Sequence, residues 1–237
     1  MKDLKQLQRF LSFPYEYPIL SKSELENILD RTSKETKILW GIPNREYYLR
    51  PAEEVAKDMI GCLLLNVVQI DNDKMSLYGG RIVEAEAYLG EVDPACHASR
   101  GITQITQIFY REGGIAYVFH AYGIYHCLNV ITGSAGFAGC VLIRAIEPTF
   151  GLEEMAKRRK VSLDKPQNLC SGPGRLCQAL AIDSKHNGWN LRNSPLLILV
   201  PEFKEISISQ GPRIGISKAA DLPLRFWAKD SLWISRR

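Results

Sequence analysis

The spacing of apolar and polar positions along the chain predicts a fold rich in β-strands. Strands are predicted at CLLLNVVQI, RIVEAEAYL, CVLIRAIEP, LLILV, RIGIS and LRFWA, which start at positions 62, 81, 140, 196, 213 and 224. The strings IAYVFH and IYHCLNVIT predict a hairpin around Ala121, Tyr122 and Gly123. Pro148 is expected to close the strand that contains it.

Apolar residues recur at helical spacing in a few short segments. Residues 51–65 predict a helix with proline at its first position, which ends at Gly61. Further helices are predicted at GLEEMAKRRK and, after a Gly-Pro-Gly turn, at RLCQALAI. Because strands outnumber helices and tight turns join several of them, we expect an α+β fold. Its form is a single domain with a curved antiparallel or mixed β-sheet, open and barrel-like, flanked by helices.

Residues 1–46 differ in pattern from the rest of the chain. Apolar residues recur there at helical spacing, at Leu25, Ile28 and Leu29. Ser21 or Ser23 is the expected N-cap. We therefore predict a helical N-terminal extension over residues 1–46, with extra packing as its expected role, followed by a main domain over residues 47–237.

Composition and charge exclude some classes of protein. The formal charge of +4 and the 46% hydrophobic content are ordinary for a globular protein, so wholesale disorder is excluded. That charge does not by itself indicate a nucleic-acid partner, nor does it exclude one. We expect no membrane partner, because no apolar run approaches about 20 residues. We expect no secretory signal, because the N-terminus mixes charged and apolar residues and has no continuous apolar centre or small-residue cleavage site. The six cysteines are expected to be reduced thiols in a cytosol, several of them buried.

One predicted strand, RIVEAEAYLG, carries two carboxylates and an aromatic ring. Alternation puts on one side Ile82, Glu84, Glu86 and Tyr88. The small apolar residues expected to face the core are Val83, Ala85, Ala87 and Leu89. The first set could be a general acid and base beside a stacking ring. The alternative, an exposed edge strand with solvated charges, is favoured by this pattern alone.

Further polar side chains lie in or beside apolar segments. Asn129 is surrounded by apolar residues, so it is either a hydrogen-bonded bridge or a group that contacts a polar ligand. Arg144 lies in the middle of a strand, where it needs a carboxylate or phosphate partner. The hairpin is rich in aromatic rings, and His97 lies in a turn before it. Together these features indicate a planar ligand held by stacking.

Metal binding is not expected. Cysteine and histidine cluster loosely at Cys96, His97, His120, His126 and Cys127. Their spacing matches no zinc-binding pattern, and His126 and Cys127 would point to opposite faces of a strand. We therefore expect no metal and no cofactor.

Several strings in one order resemble the alkyladenine (3-methyladenine) DNA glycosylase family. They are RIVEAEAYLG, YVFHAYGIYHCLNV, GCVLIRAIEP and LCSGPGRLCQALAI, and RIGIS and PLRFW fit later segments of the family. The resemblance covers roughly residues 47–235. It implies a DNA glycosylase domain over 47–237 that flips alkylated or deaminated purines out of double-stranded DNA and hydrolyses the N-glycosidic bond.

The resemblance also implies how such a reaction proceeds. Attack by an activated water releases the base and leaves an abasic site. No lysine stands at a motif position that would favour lyase chemistry, so we expect a monofunctional enzyme that does not cleave the strand. Glu86 matches the general base. Arg144 and the backbone carbonyl of Ile214 match groups that position the water, whereas Glu84 is expected to be structural. The expected protein is a monomer in a bacterial-type cytosol, associated with the nucleoid.

The remaining roles concern the base and the DNA. Tyr88 matches one wall of a base pocket, and His97 and Phe119 match the other. Asn129 matches the residue that rejects the exocyclic amine of guanine. Tyr122 matches the side chain that fills the hole left in the duplex.

The chain departs from the family pattern in a loop. Where the family shows Thr-Pro-Arg-Asn and then Met-Phe, residues 103–106 are TQIT and Phe109 and Tyr110 follow, so Ile105 replaces a basic residue. Phe119 also replaces a usual tyrosine. These differences keep an alternative open, a catalytically weak or inactive module that binds lesions or another planar ligand. The basic residues 157–160 form a solvated helix face or, as a second choice, a phosphate contact.

Overall fold

A computed structural model describes residues 16–71, 74–121 and 123–236, which contain five helices and nine strands. The helices are α1 (Lys22–Thr36), α2 (Arg45–Tyr48), α3 (Ala52–Met59), α4 (Leu152–Arg159) and α5 (Pro173–Leu180). The first six strands are β1 (Trp40–Gly41), β2 (Leu63–Asp71), β3 (Lys74–Tyr88), β4 (Ala116–Ala121), β5 (Tyr125–Ile131) and β6 (Cys140–Phe150). The last three are β7 (Leu196–Pro201), β8 (Ile208–Gly211) and β9 (Arg225–Ala228).

All nine strands belong to one open sheet. Its order is β1-β7-β2-β3-β6-β5-β4, and β9 joins β3 to β8. Each pairing is antiparallel. Helices flank this sheet, so the predicted α+β class is confirmed. The hairpin of β4 and β5 is also confirmed, since Ala121 pairs with Tyr125 across its tip.

Strand β3 lies inside the sheet and not at its edge. At Glu84–Glu86 it pairs with β6 on one side and with β9 on the other. The interpretation of this strand as an exposed edge with solvated charges is therefore wrong. Glu84 and Glu86 have no exposed surface.

Irregular pairing changes which side chains share a face of β3. The register with β6 shifts on both sides of Glu84. An extra residue in one strand interrupts the strict alternation of side chains. Ile82 consequently packs in the main core with Ala85 and Ala87, so its predicted placement beside Glu84 is wrong.

Two predicted elements have different bounds. The helix that begins after Pro51 ends at Met59, because Gly61 has a φ of 93° and its N–H bonds to Ile82, after which β2 starts. Strand β6 continues through Pro148 to residue 150. A register shift at Gly79–Gly80, opposite that proline, accommodates it.

The strand predicted at RIGIS does not form. Residues 213–217 are an irregular loop, and the neighbouring segment Ile208–Gly211 is the strand that pairs with β9. The predicted strand at LRFWA is confirmed as β9.

Helix α1 covers one face of the sheet. Ser21 caps it in a capping box with Glu24, which identifies the N-cap between the two predicted serines. Ile28 is 2% exposed and packs in a second core with residues of β2, β3, β6 and β7. Leu64 and Ile198 point to the main core on the opposite face, so both faces of β2 and β7 are buried. The division at residues 46 and 47 stays a prediction.

Two further expectations concern composition. All six cysteines are buried free thiols, as predicted for small buried hydrophobic residues. Among the helices of the described segments, none has the length and apolar character that crossing a bilayer requires.

Candidate functional site

A cavity of about 530 Å³ lies between β3, the β4–β5 hairpin and the loop that contains Ile214. This volume is within the usual range for small-molecule sites. Six of the predicted site residues line it, namely Tyr88, His97, Phe119, Asn129, Arg144 and Ile214. Glu86 is buried next to this lining. Tyr122 lies outside the described residues.

Three donors hold the carboxylate of Glu86. The N–H of Ile214 donates to Oε1 at 2.7 Å, and the hydroxyl of Tyr88 donates to Oε2 at 3.0 Å. Nη1 of Arg144 lies 3.2 Å from Oε2. A carboxylate has about four acceptor positions, so one position on Oε1 is left for a further donor. Glu86 itself has no exposed surface, but its neighbours Arg144, Ile214 and Tyr88 line the cavity.

Burial and charge act in opposite directions on Glu86. Burial raises the pKa of its carboxyl above the ordinary value, and the nearby charge of Glu84 adds to that shift. Arg144 opposes the shift most, followed by the hydrogen bonds from Ile214 and Tyr88. The result is a carboxyl that accepts a proton more readily than a solvated glutamate, which suits a general base.

Glu84 serves to fix Arg144. Its Oε1 accepts from Nε of Arg144 at 3.1 Å, from Nε of Arg225 at 2.7 Å and from Oγ of Ser235 at 2.8 Å. The N–H of Ser235 donates to Oε2 at 2.5 Å. With its Nε edge held in this way, Arg144 presents Nη1 to Glu86 and, at 3.4 Å, to the carbonyl oxygen of Ile214.

Aromatic rings form the wall opposite Tyr88. The rings of His97 and Phe119 meet edge to face at 4.7 Å, and Phe119 stacks on Tyr117 at 5.5 Å. Nδ1 of His97 lies 2.9 Å from the hydroxyl oxygen of Tyr117. Burial lowers the pKa of His97, and the nearby charge of Arg100 adds to this effect, so the imidazole is neutral at neutral pH. Phe119 contributes stacking surface without a hydroxyl group.

Asn129 is buried and hydrogen-bonded, as its apolar surroundings require. Its amide nitrogen donates to the carbonyl oxygen of Tyr117 at 3.2 Å, and Sγ of Cys140 lies 3.8 Å from Oδ1. The side chain therefore bridges two strands and also lines the cavity. Both alternatives left open by the sequence, a structural bridge and a ligand contact, are compatible with this position.

The basic residues at 157–160 mostly bond within the protein. Lys157 pairs with Glu154, whereas Arg158 donates to the carbonyl of Ala179 at 2.9 Å and Arg159 to that of Leu169 at 3.2 Å. These two arginines connect α4 to α5 and its preceding segment. They are thus more than a solvated face.

Metal-ligand groups are not assembled in the described parts of the chain. There, no three histidine, cysteine or acidic side chains are grouped so that they could hold an ion. His120 and His126 stack on each other at 4.8 Å instead.

Four residues that support the site were not among the predicted site residues. Tyr117 follows from strand alternation, since it lies two positions before Phe119 on the same face of β4. Arg213, Arg225 and Ser235 gave no local signal. They reach their partners Asp93 and Glu84 over 120 to 151 positions of sequence.

Comparison with known proteins identifies the family of this chain. Residues 46–232 match the family model described as methylpurine-DNA glycosylase. A relative from Methanoculleus marisnigri, named "Putative 3-methyladenine DNA glycosylase", is 45% identical over 195 residues, covering 81% of this chain and 97% of the relative. Relatives of the same name from Rhodopseudomonas palustris and Francisella tularensis are 45% and 42% identical, covering 81% and 78% of this chain and 87% and 93% of their own lengths. The chain belongs to the methylpurine-DNA glycosylase family.

Proposed function

We propose that this protein flips alkylated or deaminated purines out of double-stranded DNA and hydrolyses their N-glycosidic bond. Membership of the family makes it a DNA glycosylase, a hydrolase of DNA repair that acts on DNA. The proposal adds the base-flipping step and the class of base. It also adds that the enzyme is monofunctional and leaves an abasic site.

The observation that carries the proposal is the surroundings of Glu86. A carboxylate with a raised pKa lies beside an aromatic cavity, and Arg144 and the Ile214 carbonyl oxygen lie 3.4 Å apart next to it. A water placed among these groups would donate to the Glu86 carboxylate and to the carbonyl oxygen of Ile214, and it would accept a hydrogen bond from Arg144. In this proposal Glu86 removes the proton of that water as it attacks the anomeric carbon.

Ionised Glu86 has a second effect in this mechanism. Cleavage of the glycosidic bond builds positive charge on the sugar, which a nearby carboxylate stabilises. Arg144 opposes the rise in the pKa of Glu86 and so favours the ionised carboxylate. A purine alkylated at N3 or N7 is already cationic, so it leaves without an acid. Hypoxanthine would need a proton on the leaving base.

The cavity supports recognition of a planar base. A purine would stack between Tyr88 and the pair of His97 and Phe119, whose rings face the cavity. Asn129 would reject guanine because of the exocyclic amine that guanine carries. A base inside a duplex cannot enter such a cavity, so it must leave the stack, at a cost of a few kcal/mol. We propose that Tyr122, which lies between β4 and β5 in the sequence, fills the gap and offsets this cost.

The experiment is incubation with duplex DNA that contains hypoxanthine or a methylated purine, followed by alkali. The expected products are a free base and an abasic site that breaks only after alkali treatment. Strand breaks without alkali would contradict the monofunctional assignment. The wild-type protein should release the base, and the Glu86→Gln variant should not.

A second candidate, a lesion-binding module without turnover, is favoured by one observation. Ile105, which is 70% exposed, replaces a basic residue of the family in the 103–110 loop. In that case damaged duplex would bind more tightly than intact duplex, while no base would be released in single-turnover conditions. Base release by the wild-type protein excludes this candidate.

The monomeric state and the nucleoid location are also proposals. For a monomer, sedimentation should give the mass of a single chain of 26.8 kDa. Because the substrate is genomic DNA, we place the protein with the nucleoid; fluorescence microscopy of a tagged protein tests this.

A further inference from the structure

A buried ion pair lies beside the base cavity. The guanidinium of Arg213 bonds to both oxygens of Asp93, with Nη1 to Oδ2 at 2.5 Å and Nη2 to Oδ1 at 3.0 Å. Arg213 is 4% exposed and Asp93 is 2% exposed. A buried pair of this kind is weak evidence for stability, because desolvation offsets the attraction between the charges. Its role should therefore be sought in what it positions.

The arginine supports the first wall of the cavity. Its guanidinium lies over the Tyr88 ring, with Cζ 4.6 Å from the ring centroid. Tyr88 lines the cavity and Arg213 does not, so the guanidinium contacts the ring from outside the space for the base. Nη1 also donates to the carbonyl of Ala87 at 3.1 Å. Ring and backbone of this wall are thus both fixed by one side chain.

The aspartate supports the second wall. Its Oδ1 accepts the N–H of Ala95 at 3.0 Å and its Oδ2 accepts that of Leu89 at 3.1 Å. Its own carbonyl accepts the N–H of Cys96 at 2.9 Å. These bonds shape the turn that leads directly into His97. Although burial acts to raise the pKa of Asp93, the hydrogen bonds from Arg213, Leu89 and Ala95 together lower it, so the carboxylate stays ionised.

We propose that the Asp93–Arg213 pair sets the spacing between the Tyr88 wall and the His97 wall, and so determines how selectively a planar base is held. Arg213 and Asp93 are positioning residues, since they act through Tyr88 and His97. The proposal rests on the proposed function, because it assumes that a flipped base occupies the cavity. Breaking the pair should weaken binding of damaged DNA while the general base stays in place.

The test uses Arg213→Lys in the Glu86→Gln background, where binding is measured without turnover. Lysine keeps the charge beside Asp93 but loses the two-pronged contact and the flat contact with Tyr88. The matched control is Arg158→Lys, which loses the same kind of contact over the Tyr78 ring, at 4.0 Å, away from the cavity. We expect affinity for damaged duplex to fall about tenfold for Arg213→Lys, in line with a desolvated cation–π contact. Affinity for intact duplex and both affinities of the control should stay within about twofold.

A double-mutant cycle with Tyr88→Leu separates positioning from a general loss of structure. If Arg213 acts through the Tyr88 ring, the tenfold loss should shrink to about twofold when the ring is already absent. A loss of the same size in both backgrounds would overturn the proposal, as would equal losses for damaged and intact duplex. If Arg213→Lys does not fold, Asp93→Asn replaces it. The role of the pair is then decided by comparing damaged with intact duplex, and the Tyr88 with the Tyr88→Leu background.

Failure of the proposed function gives a different result. The wild-type protein would then release no base, whereas the cycle on damaged and intact duplex still decides the role of Arg213. If the Glu86→Gln protein shows no preference for damaged duplex at all, both proposals are wrong. In the otherwise wild-type enzyme, Arg213→Lys should raise the concentration for half-maximal rate more than it lowers the maximal single-turnover rate.

Discussion

The two buried glutamates of β3 differ in what their oxygens contact. Both oxygens of Glu84 are held by Arg144, Arg225 and Ser235, and among these three partners only Arg144 lines the cavity. Glu86 keeps one acceptor position on the side where Arg144 and Ile214 meet the cavity. Strand alternation alone places both on one face. The distinction depends on partners from distant segments, and it assigns Glu84 to structure.

Substitution of each glutamate by glutamine tests that assignment. Glu86→Gln should lower base release by about a hundredfold or more, as loss of a general base does, while damaged duplex still binds within a few fold. Glu84→Gln should have a much milder effect on the chemical step. It should instead reduce the free energy of unfolding by about 3 kcal/mol, because Arg225 and Arg144 lose a buried partner. Single-turnover rates and thermal melts measure the two effects, and the reverse order of rates would show that Glu84 is the base.

The raised pKa of Glu86 predicts the pH dependence of the reaction. Only the ionised carboxylate can accept a proton, so the single-turnover rate should rise with pH through the Glu86 pKa and then level off. This acid limb should lie above the ordinary glutamate value of about 4.3. Arg144→Gln removes the cation that lowers this pKa, so it should move the limb to higher pH.

The control for that shift is Arg81→Gln, which removes a partly exposed arginine paired with Glu147. Its pH profile should match that of the wild-type enzyme. If Arg144→Gln lowered the rate equally at every pH, the limb would not belong to Glu86.

At the scale of elements, strand β3 shows both the strength and the limit of sequence patterns. Its alternation correctly placed Ala85 and Ala87 toward the core and Glu86 and Tyr88 away from it. The placement of Ile82 failed because shifts in register are set by the partner strand β6. A periodic pattern gives the face of each residue only while both strands advance in step.

In the sequence Tyr122 lies between β4 and β5, and it precedes Gly123, whose φ is 67°. Tyr122→Ala should lower affinity for damaged duplex by about tenfold, since stacking of a base on an aromatic ring contributes roughly 1–3 kcal/mol. The matched control is Phe203→Ala, an 83% exposed aromatic that is not part of the cavity lining. Binding titrations and single-turnover kinetics measure the effect. Unchanged affinity and unchanged single-turnover rates for Tyr122→Ala would show that Tyr122 does not fill the gap left by the flipped base.

Helix α1 is expected to contribute stability and not chemistry. Ile28→Ala removes a side chain that is 2% exposed in the second core, so the free energy of unfolding should fall by about 3 kcal/mol. Leu39→Ala, at a 64% exposed position, should change it by less than about 0.5 kcal/mol. Base release well below the melting temperature should be the same for both. A specific loss of activity in Ile28→Ala would indicate that the extension helps to shape the site.

For the whole molecule, local order was easier to predict than long-range contact. The hairpin, α4 and α5 follow from turn residues and from spacing within about ten positions, whereas the wall of His97 and Phe119 is implied only by the family resemblance. Asp93 and Arg213 lie 120 positions apart, and their pairing depends on how the 213–217 loop crosses the end of β3. RIGIS has the alternation of a strand, but Arg213 is instead held by its side-chain bonds to Asp93. No spacing within the string could have shown this.

The electrostatic attraction of the protein for DNA should be modest. The formal charge is only +4, and Arg158 and Arg159 already bond to backbone carbonyl groups. In the 103–110 loop, Thr103 and Thr106 bond to each other, so the loop is ordered without help from Ile105. An arginine at position 105 would therefore disturb little of the packing.

Ile105→Arg tests whether this loop faces the DNA backbone. One added phosphate contact should tighten binding and change the slope of log K against log salt by about −0.9. The matched control is Ile19→Arg, which adds the same net charge at a position distant in sequence from the loop. The two isoleucines are similarly exposed, Ile19 at 69% and Ile105 at 70%. Because Glu86 and Arg144 are untouched, the rate at saturating DNA should barely change. Binding is measured at several salt concentrations for the wild-type protein and both variants. A slope altered equally by the two substitutions would reflect net charge alone, and an unaltered slope for Ile105→Arg would mean that the loop points away from the phosphates.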